Sequence, residues 1–297
     1  MDTRRLGYLV ELQRLGSMRA VADSLGTSTS TVSQQVAALA REMGTSLVEP
    51  SGRRVRLTPA GRRLAEHAVT ILAAVEVARH DTDPGTEPIG TVQVAGFATA
   101  VHRALLPVVA ALGRDHPLVQ LVVHEHEPAE AFALLDADDV DLALTYDYNL
   151  APAAAAPHLE VVPLWSTGWG LGVPANVSAP APGDTLAAFG AFRDDRWIGN
   201  SRNTADEVVL RTIASMAGFE PRIAHQADSL DLVEELILAG LGVGLLPADR
   251  PSRPGVRVLR LSDPPLTLRA YAVCRRGRST WPPLRLVLGM LDAQPAA

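Results

Sequence analysis

Lysine is absent from this 297-residue chain: all 27 basic residues are arginine. Alanine and proline are plentiful, so the bias reads as genomic composition and assigns no mechanism. Cysteine is nearly absent too. The single Cys274 excludes an intramolecular disulfide and a cysteine metal cluster, which suits a reducing compartment. Its place in the strand-like run Ala270-Tyr271-Ala272-Val273-Cys274 reads as a small buried apolar residue. Although 47% of the residues are hydrophobic, no uninterrupted apolar run approaches the ~18 residues of a membrane span, and no membrane partner is expected. An export signal is missing as well: Asp2, Arg4, Arg5 and Glu11 interrupt the stretch where its apolar core would stand, so a cytoplasmic location is expected. His124-Glu125-His126 sets two imidazoles on one face of a strand, a spacing that binds metal, but no third ligand lies near in sequence and no metal is expected. There is no nucleophile-base pair and no phosphate-cradling loop. Gly240-Leu241-Gly242-Val243-Gly244 has the glycine spacing of a dinucleotide loop but runs into a strand instead of opening a helix. Neither an enzyme nor a cofactor is expected.

The charge that is present is unevenly placed. Residues 1–66 carry ten arginines against six acids, a formal +4 in a chain whose total is −6. A basic module joined to an acidic remainder suits nucleic-acid binding, because phosphate neutralisation needs local cations. The length allows about two domains at roughly 150 residues each. Leu6, Leu9, Val10 and Leu12 predict a helix over 2–15, stopped at Gly16 and followed by Ser17 as the next N-cap. Met18, Val21, Ala22 and Leu25 share one face of a second, short helix that ends at Gly26. The hydroxyl residues Thr27 to Thr31 then cap a third helix, with Val32, Val36, Leu39 and Met43 facing inward. Its other side offers Ser28, Thr29, Ser30, Ser33, Gln34 and Ala37, which either read bases and phosphates or form a polar solvated face. Beyond Gly44, Leu47-Val48, a Pro50-Ser51-Gly52 turn and Val55-Arg56-Leu57 read as two short strands. Arg53 and Arg54 stand at their tip, within reach of phosphates or a narrow minor groove. A helix, a tight turn, a helix and a basic hairpin together point to duplex DNA.

Residues 59 to about 81 read as one long helix, roughly 34 Å at 1.5 Å per residue, with Leu64, Ala68, Ile71, Leu72, Val75 and Ala78 as its apolar stripe. Proline and glycine mark 83–90 as a hinge. From Thr91 strands and helices alternate: strands at 91–95, 118–123 and 141–145 with helices near 99–113 and 127–135. A second set follows, with strands at 159–162, 168–173, 197–198, 222–225 and 242–246 and helices near 204–217 and 229–239. Strands at 256–261 and 266–273 and a helix near 283–291 close the chain. This is an α/β pattern in two lobes.

The N-terminal region resembles the LysR-type family of bacterial transcriptional regulators. The resemblance rests on Gly16-Ser17, Ala22, Leu25, Ser28, Val32-Ser33-Gln34-Gln35-Val36, Leu39, Gly44, Leu47 and Gly52-Arg53-Arg54-Val55-Arg56-Leu57-Thr58-Pro59-Ala60-Gly61, in family order without gaps. Further on, Ala217-Gly218-Phe219-Glu220-Pro221 and Ala239-Gly240-Leu241-Gly242-Val243-Gly244-Leu245-Leu246-Pro247 extend it. The family usually has Gln-Pro at Thr29-Ser30, an aromatic at Met18 and Phe-x-Arg at Val48-Glu49-Pro50. Pro50 therefore implies one phosphate contact fewer. The resemblance implies an α/β multi-domain protein with a winged helix-turn-helix over 1–58, a linker helix over 59–82 that pairs two chains into a homodimer, and a hinge over 83–90. A periplasmic-binding-protein-like effector domain would follow over 91–297, lobe I taking about 91–160 and 267–297 and lobe II about 161–266. It further implies an operator duplex and a small-molecule effector as partners, with RNA polymerase as a third; dimer and tetramer stay open.

Strand ends and helix N-termini facing the cleft between the lobes should hold the effector, and the positive helix ends favour a carboxylate or phosphate. Thr99, Thr145, Ser201 and Asn203 are the candidate polar contacts, with Phe97 and Arg202 beside them. Each could instead be a cap or turn residue, and Arg202 a solvated loop cation. Trp165 and Trp169 read as packing residues. A solute-binding protein for transport would account for the second domain alone, but the basic module opposes it.

Overall fold

The computed structural model describes residues 2–51, 54–82, 87–154, 156–178, 183–202 and 204–294. The expected contacts Arg53 and Asn203 lie outside the described residues, as do the side chain of Arg54 and positions 83–86 of the expected hinge.

Three helices open the chain: α1 (Thr3–Leu15), α2 (Met18–Ser24) and α3 (Thr29–Met43). Asp2 accepts from the Arg4 amide at 2.9 Å and Ser28 from the Thr31 amide at 3.1 Å, so each side chain satisfies an amide that the first helical turn leaves open. Gly16 (φ 63°) stops α1 in the left-handed region that glycine enters at low cost. Leu6, Leu9, Leu12, Val21, Val32, Val36 and Leu39 are buried together, as their periodicity requires. Two expected inward residues are not: Met43 is 42% exposed and Leu25 44%, since both stand at helix ends beyond the crossing of α2 and α3.

Strands β1 (Val48–Ser51) and β2 (Arg54–Leu57) pair antiparallel, with Pro50 opposite Val55 and Ser51 opposite Arg54. The expected turn over 50–52 is therefore displaced, since Pro50 and Ser51 already belong to the ladder; Pro50 occupies an edge position where no amide is needed. Helix α4 (Pro59–Thr82) follows, buried along Gly61, Ala65, Ala68, Val69 and Ala73, while Leu64, Ile71, Leu72 and Val75 are half-buried and Ala78, expected in the same stripe, is exposed. It lies against α1 at one end, and Thr70 donates to the Arg276 carbonyl at 3.3 Å further along.

In the remainder, strands β3 (Gly90–Gly96), β4 (Val119–Glu125) and β5 (Leu142–Tyr148) run parallel in one lobe. Strand β6 (Leu159–Pro174) leads to the other lobe, which holds the short β7 (Gly183–Asp184) and the parallel strands β8 (Arg196–Gly199), β9 (Arg222–Gln226) and β10 (Val243–Pro247). Two further strands close it: β11 (Val256–Asp263), which pairs with β6 and β7, and β12 (Thr267–Arg275), which returns antiparallel beside β5. The sheet order is β4-β3-β5-β12-β6-β10-β8-β9. Strand β6 belongs to both lobes. It pairs with β12 from Leu159 to Gly168, then with β10 and β11 from Trp169 to Pro174. Two strands, 159–162 and 168–173, were expected here; pairing of Pro163, Trp165, Ser166 and Thr167 with β12 keeps the stretch between them extended, and lobe I's sheet reaches residue 168 instead of 160.

Helices cover the faces: α5 (Ala98–Ala100), a π turn (Val101–Leu105), α6 (Leu106–Asp115), α7 (Pro128–Ala137), α8 (Thr185–Ala191), α9 (Thr204–Met216), α10 (Leu230–Leu238) and α11 (Pro282–Asp292), the last preceded by a 3-10 turn. The expected helix near 99–113 is interrupted by the π turn. Helix α8, which no periodicity announced, is seven residues capped by Asp184, which accepts from the Ala187 amide at 2.8 Å.

Candidate DNA-reading helix and effector cleft

Helix α3 divides cleanly into an inner row with Val32, Val36 and Leu39 and an exposed outer row. Thr29, Ser30, Ser33, Gln34 and Ala37 are all exposed, so none is committed to the core. Ser28 is exposed but committed: besides capping the helix, its hydroxyl lies 2.7 Å from that of Ser30 and 2.8 Å from that of Thr31. On the hairpin, Arg56 pairs with Glu49 at 2.7 Å.

In the second domain a cavity of about 720 Å³ opens at the C-terminal ends of β3, β5, β8 and β10, where the parallel strands of the two lobes end and ligand crevices form in such sheets. Phe97 and Thr99 line it. Thr145 does not: it is 2% exposed within β5, and its neighbour Tyr146 turns to the cleft instead. Ser201 is held by Asp228, its amide donating at 2.7 Å and its hydroxyl at 2.5 Å. Arg202, expected to meet a ligand carboxylate, meets three of the protein's own: Asp228 at 2.8 Å, Glu125 at 3.5 Å and Glu130 at 3.8 Å. Because Asp228 belongs to lobe II and the two glutamates to lobe I, Arg202 ties the lobes together across the rim. His126 stands 3.3 Å from Glu130. Among the described residues no three His, Cys, Asp or Glu side chains form a metal-binding group.

The walls hold residues that the sequence did not single out. Phe97 meets Tyr146 edge-on, ring centres 4.7 Å apart, and Trp165 at 6.4 Å; Trp169 meets Tyr148 at 5.6 Å. Arg103 lies over Trp165 at 5.1 Å and reaches Asp249 at 3.4 Å, an oxygen of which also accepts from Thr167 at 2.6 Å. The Tyr146 hydroxyl stands 3.2 Å from Glu127 and 3.4 Å from Asp206. Burial, reinforced by Asp206, pushes the Glu127 carboxyl up to about 7 against the pull of Tyr146. Burial raises Asp206 as well, only partly offset by hydrogen bonds from Tyr148, Asn200 and Tyr146. Burial also works to raise Asp228, but the bonds from Ser201 and Arg202 outweigh it and leave that carboxyl below its usual range. Strand alternation could have flagged Tyr146, but β5 is buried on both faces and carries no polar rhythm to fix its parity.

The sequence family described as "LysR substrate binding domain" matches residues 85–296, and the one described as "Bacterial regulatory helix-turn-helix protein, lysR family" matches residues 3–62. The chain belongs to the LysR family. It is a DNA-binding transcriptional regulator with an effector-binding substrate domain. It is 28% identical over 253 residues to the transcriptional dual regulator GltC of Bacillus subtilis, covering 83% of this chain and 81% of that protein. Identity to the hydrogen peroxide-inducible genes activator of Pectobacterium carotovorum is 26% over 265 residues, covering 84% and 80%. The fold matches a full-length cysteine variant of OxyR from Pseudomonas aeruginosa with a TM-score of 0.72 at 18% identity, over 100% of both chains. It also matches full-length CbnR in complex with its target DNA with a TM-score of 0.53 at 21% identity, over 98% and 99%. The expected fold class of this LysR member, a helix-turn-helix domain joined to a two-lobed α/β effector domain, is the one observed. No helix among the described residues is long and apolar enough to cross a membrane.

Proposed function

We propose that α3 reads the operator through Thr29, Ser30, Ser33 and Gln34 while Arg53 and Arg54 hold the phosphate backbone, and that a small molecule in the interlobe cleft sets the arrangement of the two DNA-binding modules. The observation that carries this is the division of α3, whose polar residues Thr29, Ser30, Ser33 and Gln34 are all exposed while Val32, Val36 and Leu39 opposite them are buried. Ser28 acts as the helix cap and positions that row. Effector control then needs only different affinities for two arrangements of the lobes. Phe97 and Thr99 meet the effector directly; Ser201 and Arg202 act through Asp228. Four half-buried apolar residues on α4, Leu64, Ile71, Leu72 and Val75, support pairing of two chains through this helix, with tetramers built from such dimers and RNA polymerase as the downstream partner in the cytoplasm. The protein acts by binding, without catalysis or a cofactor.

Selection of bound duplex fragments tests the reading. Gln34→Ala should relax the preference at one position per half-site, because a bidentate amide contact to adenine contributes about 1–3 kcal/mol of discrimination. An unaltered selection profile would remove Gln34 from the reading set.

A further inference from the structure

The effector cleft is walled by six carboxylates, Glu125, Glu127, Asp206, Asp228, Asp231 and Asp249, against the two guanidiniums of Arg103 and Arg250 and the ring of His102. Four of the six are already matched. Asp228 and Glu125 face Arg202, Asp249 faces Arg103, and Asp231 faces Arg250 at 3.1 Å. That leaves Glu127 and Asp206, on opposite lobes, with no cation among the described residues within ion-pair distance of either. Glu127 is 5% exposed and, beyond the α7 amide that it caps, faces the Tyr146 hydroxyl, which also lies 3.4 Å from Asp206; Asp206 takes further hydrogen bonds from Tyr148 and Asn200, all from neutral groups. Buried carboxylates are ordinarily paired, so an uncompensated pair flanking a cavity leaves a place for a charge brought by the ligand.

Three further observations bear on the sign of that charge. Two of the helix ends that would attract an anion are occupied by the protein's own acids: the Glu127 side chain caps α7, and Asp206 and Glu207 sit in the first turn of α9. At these two ends the protein's own acids stand where an anion would sit, whereas the end at Phe97 holds no acid in its first turn. The guanidiniums that could have met an anion are engaged by Asp249 and Asp231. Beside the unmatched pair stand Phe97, Tyr146 and Trp169, whose ring faces attract cations. Trp169 is 8% exposed and its indole N–H has no acceptor among the described residues, so a ligand that also carries a hydroxyl or carbonyl oxygen would satisfy it.

We propose that this cleft selects a small organic cation, an amine or guanidine, whose charged head sits between Glu127 and Asp206 against the Tyr146 and Phe97 rings. The inference rests on the cleft being the effector site. The head replaces the proton that the pair otherwise shares, so binding strengthens as pH rises through neutrality. The charged and titratable groups around Glu127 are Asp206, Asp228, Tyr146 and Arg202 from other elements and His126 and Glu130 beside it.

The test uses the full chain and skeleton-matched ligands: butylamine, benzylamine, putrescine and agmatine against butyrate, benzoate, succinate and glutarate. Binding is read by thermal shift and calorimetry at pH 6 and pH 8. The cation reading expects amines to bind in preference to their acid counterparts, about tenfold more tightly at pH 8 than at pH 6 for a competing proton that titrates near 7. Asp206→Asn and Glu127→Gln should each weaken amine binding about tenfold or more, as loss of a desolvated charge partner does. Acids binding in place of amines, with binding lost in Ala98→Trp, which fills the cleft mouth, would overturn the cation class and keep the cleft as effector site. Binding of any member that survives Ala98→Trp unchanged would overturn the cleft itself. A panel in which no amine shifts the melting temperature overturns the proposal.

Discussion

Neutralising Glu127 should make the effector domain more stable at alkaline pH and leave it unchanged near pH 4.5. In the folded chain this carboxyl titrates near 7, driven up first by burial and then by Asp206, against 4.5 when exposed. Below 4.5 both states hold the proton, and Glu127 contributes nothing to the pH dependence. Between 4.5 and 7 the folded chain keeps a proton that the unfolded chain has released, so stability falls as pH rises, by ~1.4 kcal/mol per unit. Above 7 the loss is complete, at about 3 kcal/mol. Glu127→Gln keeps one acceptor oxygen for the α7 cap and offers an NH2 that the Tyr146 hydroxyl can accept, while removing the titration. The variant should match the wild type near pH 4.5 and exceed it by about 3 kcal/mol at pH 8. Urea unfolding followed by tryptophan fluorescence is the assay, because Trp165, Trp169, Trp197 and Trp281 all lie in the effector domain and none in the DNA-binding module. Wild-type and variant stabilities that stay parallel from pH 5 to pH 8 would refute the placement of an uncompensated carboxyl at this position.

Two other outcomes follow from the packing. A Cβ on Gly61 would overlap the carbonyl oxygen of Leu47, backbone that cannot swing away, so Gly61→Ala should destabilise the DNA-binding module by about 1–3 kcal/mol despite the helix propensity of alanine. Gly113→Ala, where nothing lies within 4 Å, should instead gain up to about 1 kcal/mol; thermal melts by circular dichroism compare the two, and a neutral Gly61→Ala would refute the junction described. Cys274 is 1% exposed and burial pushes its thiol up to about 12. Millimolar hydrogen peroxide should therefore leave the Cys274 peptide unmodified by mass spectrometry, and its rapid oxidation would refute that assignment.

The DNA-binding module was legible because its signals are local and redundant. Ser28 as a cap, Val32, Val36 and Leu39 at helical spacing, and glycines at 16 and 44 each say the same thing independently. Met43 and Leu25 escaped because periodicity does not say where the partner helix ends. The cleft was legible only in part. Phe97 and Thr99 follow a strand end directly, whereas Thr145 was chosen over Tyr146 in a strand buried on both faces, where alternation carries no information. Glu127, Asp206 and Asp228 come from three separate segments, and only the folding of two lobes onto each other brings them together. Arg202 was read by its own charge; its role was decided by acids far away in sequence. At α9 the acid in the first turn, Asp206, was already in view in the sequence, while the end at Phe97 carries none.

The unbroken course of β6 limits how this molecule can respond. The two lobes share a single extended backbone, held at the crossing by the Trp169 amide on Leu266 and the Ala248 amide on Gly168, both at 2.9 Å. Such a spine resists bending yet permits twist, as strands do. A ligand drawing Glu127 and Asp206 together would wind the lobes about β6 as a torsion bar, and the rotation would be delivered to α4, where Thr70 rests on Arg276 at the end of β12. The signal leaving the cleft would then be an angle, set by the width of the ligand's head.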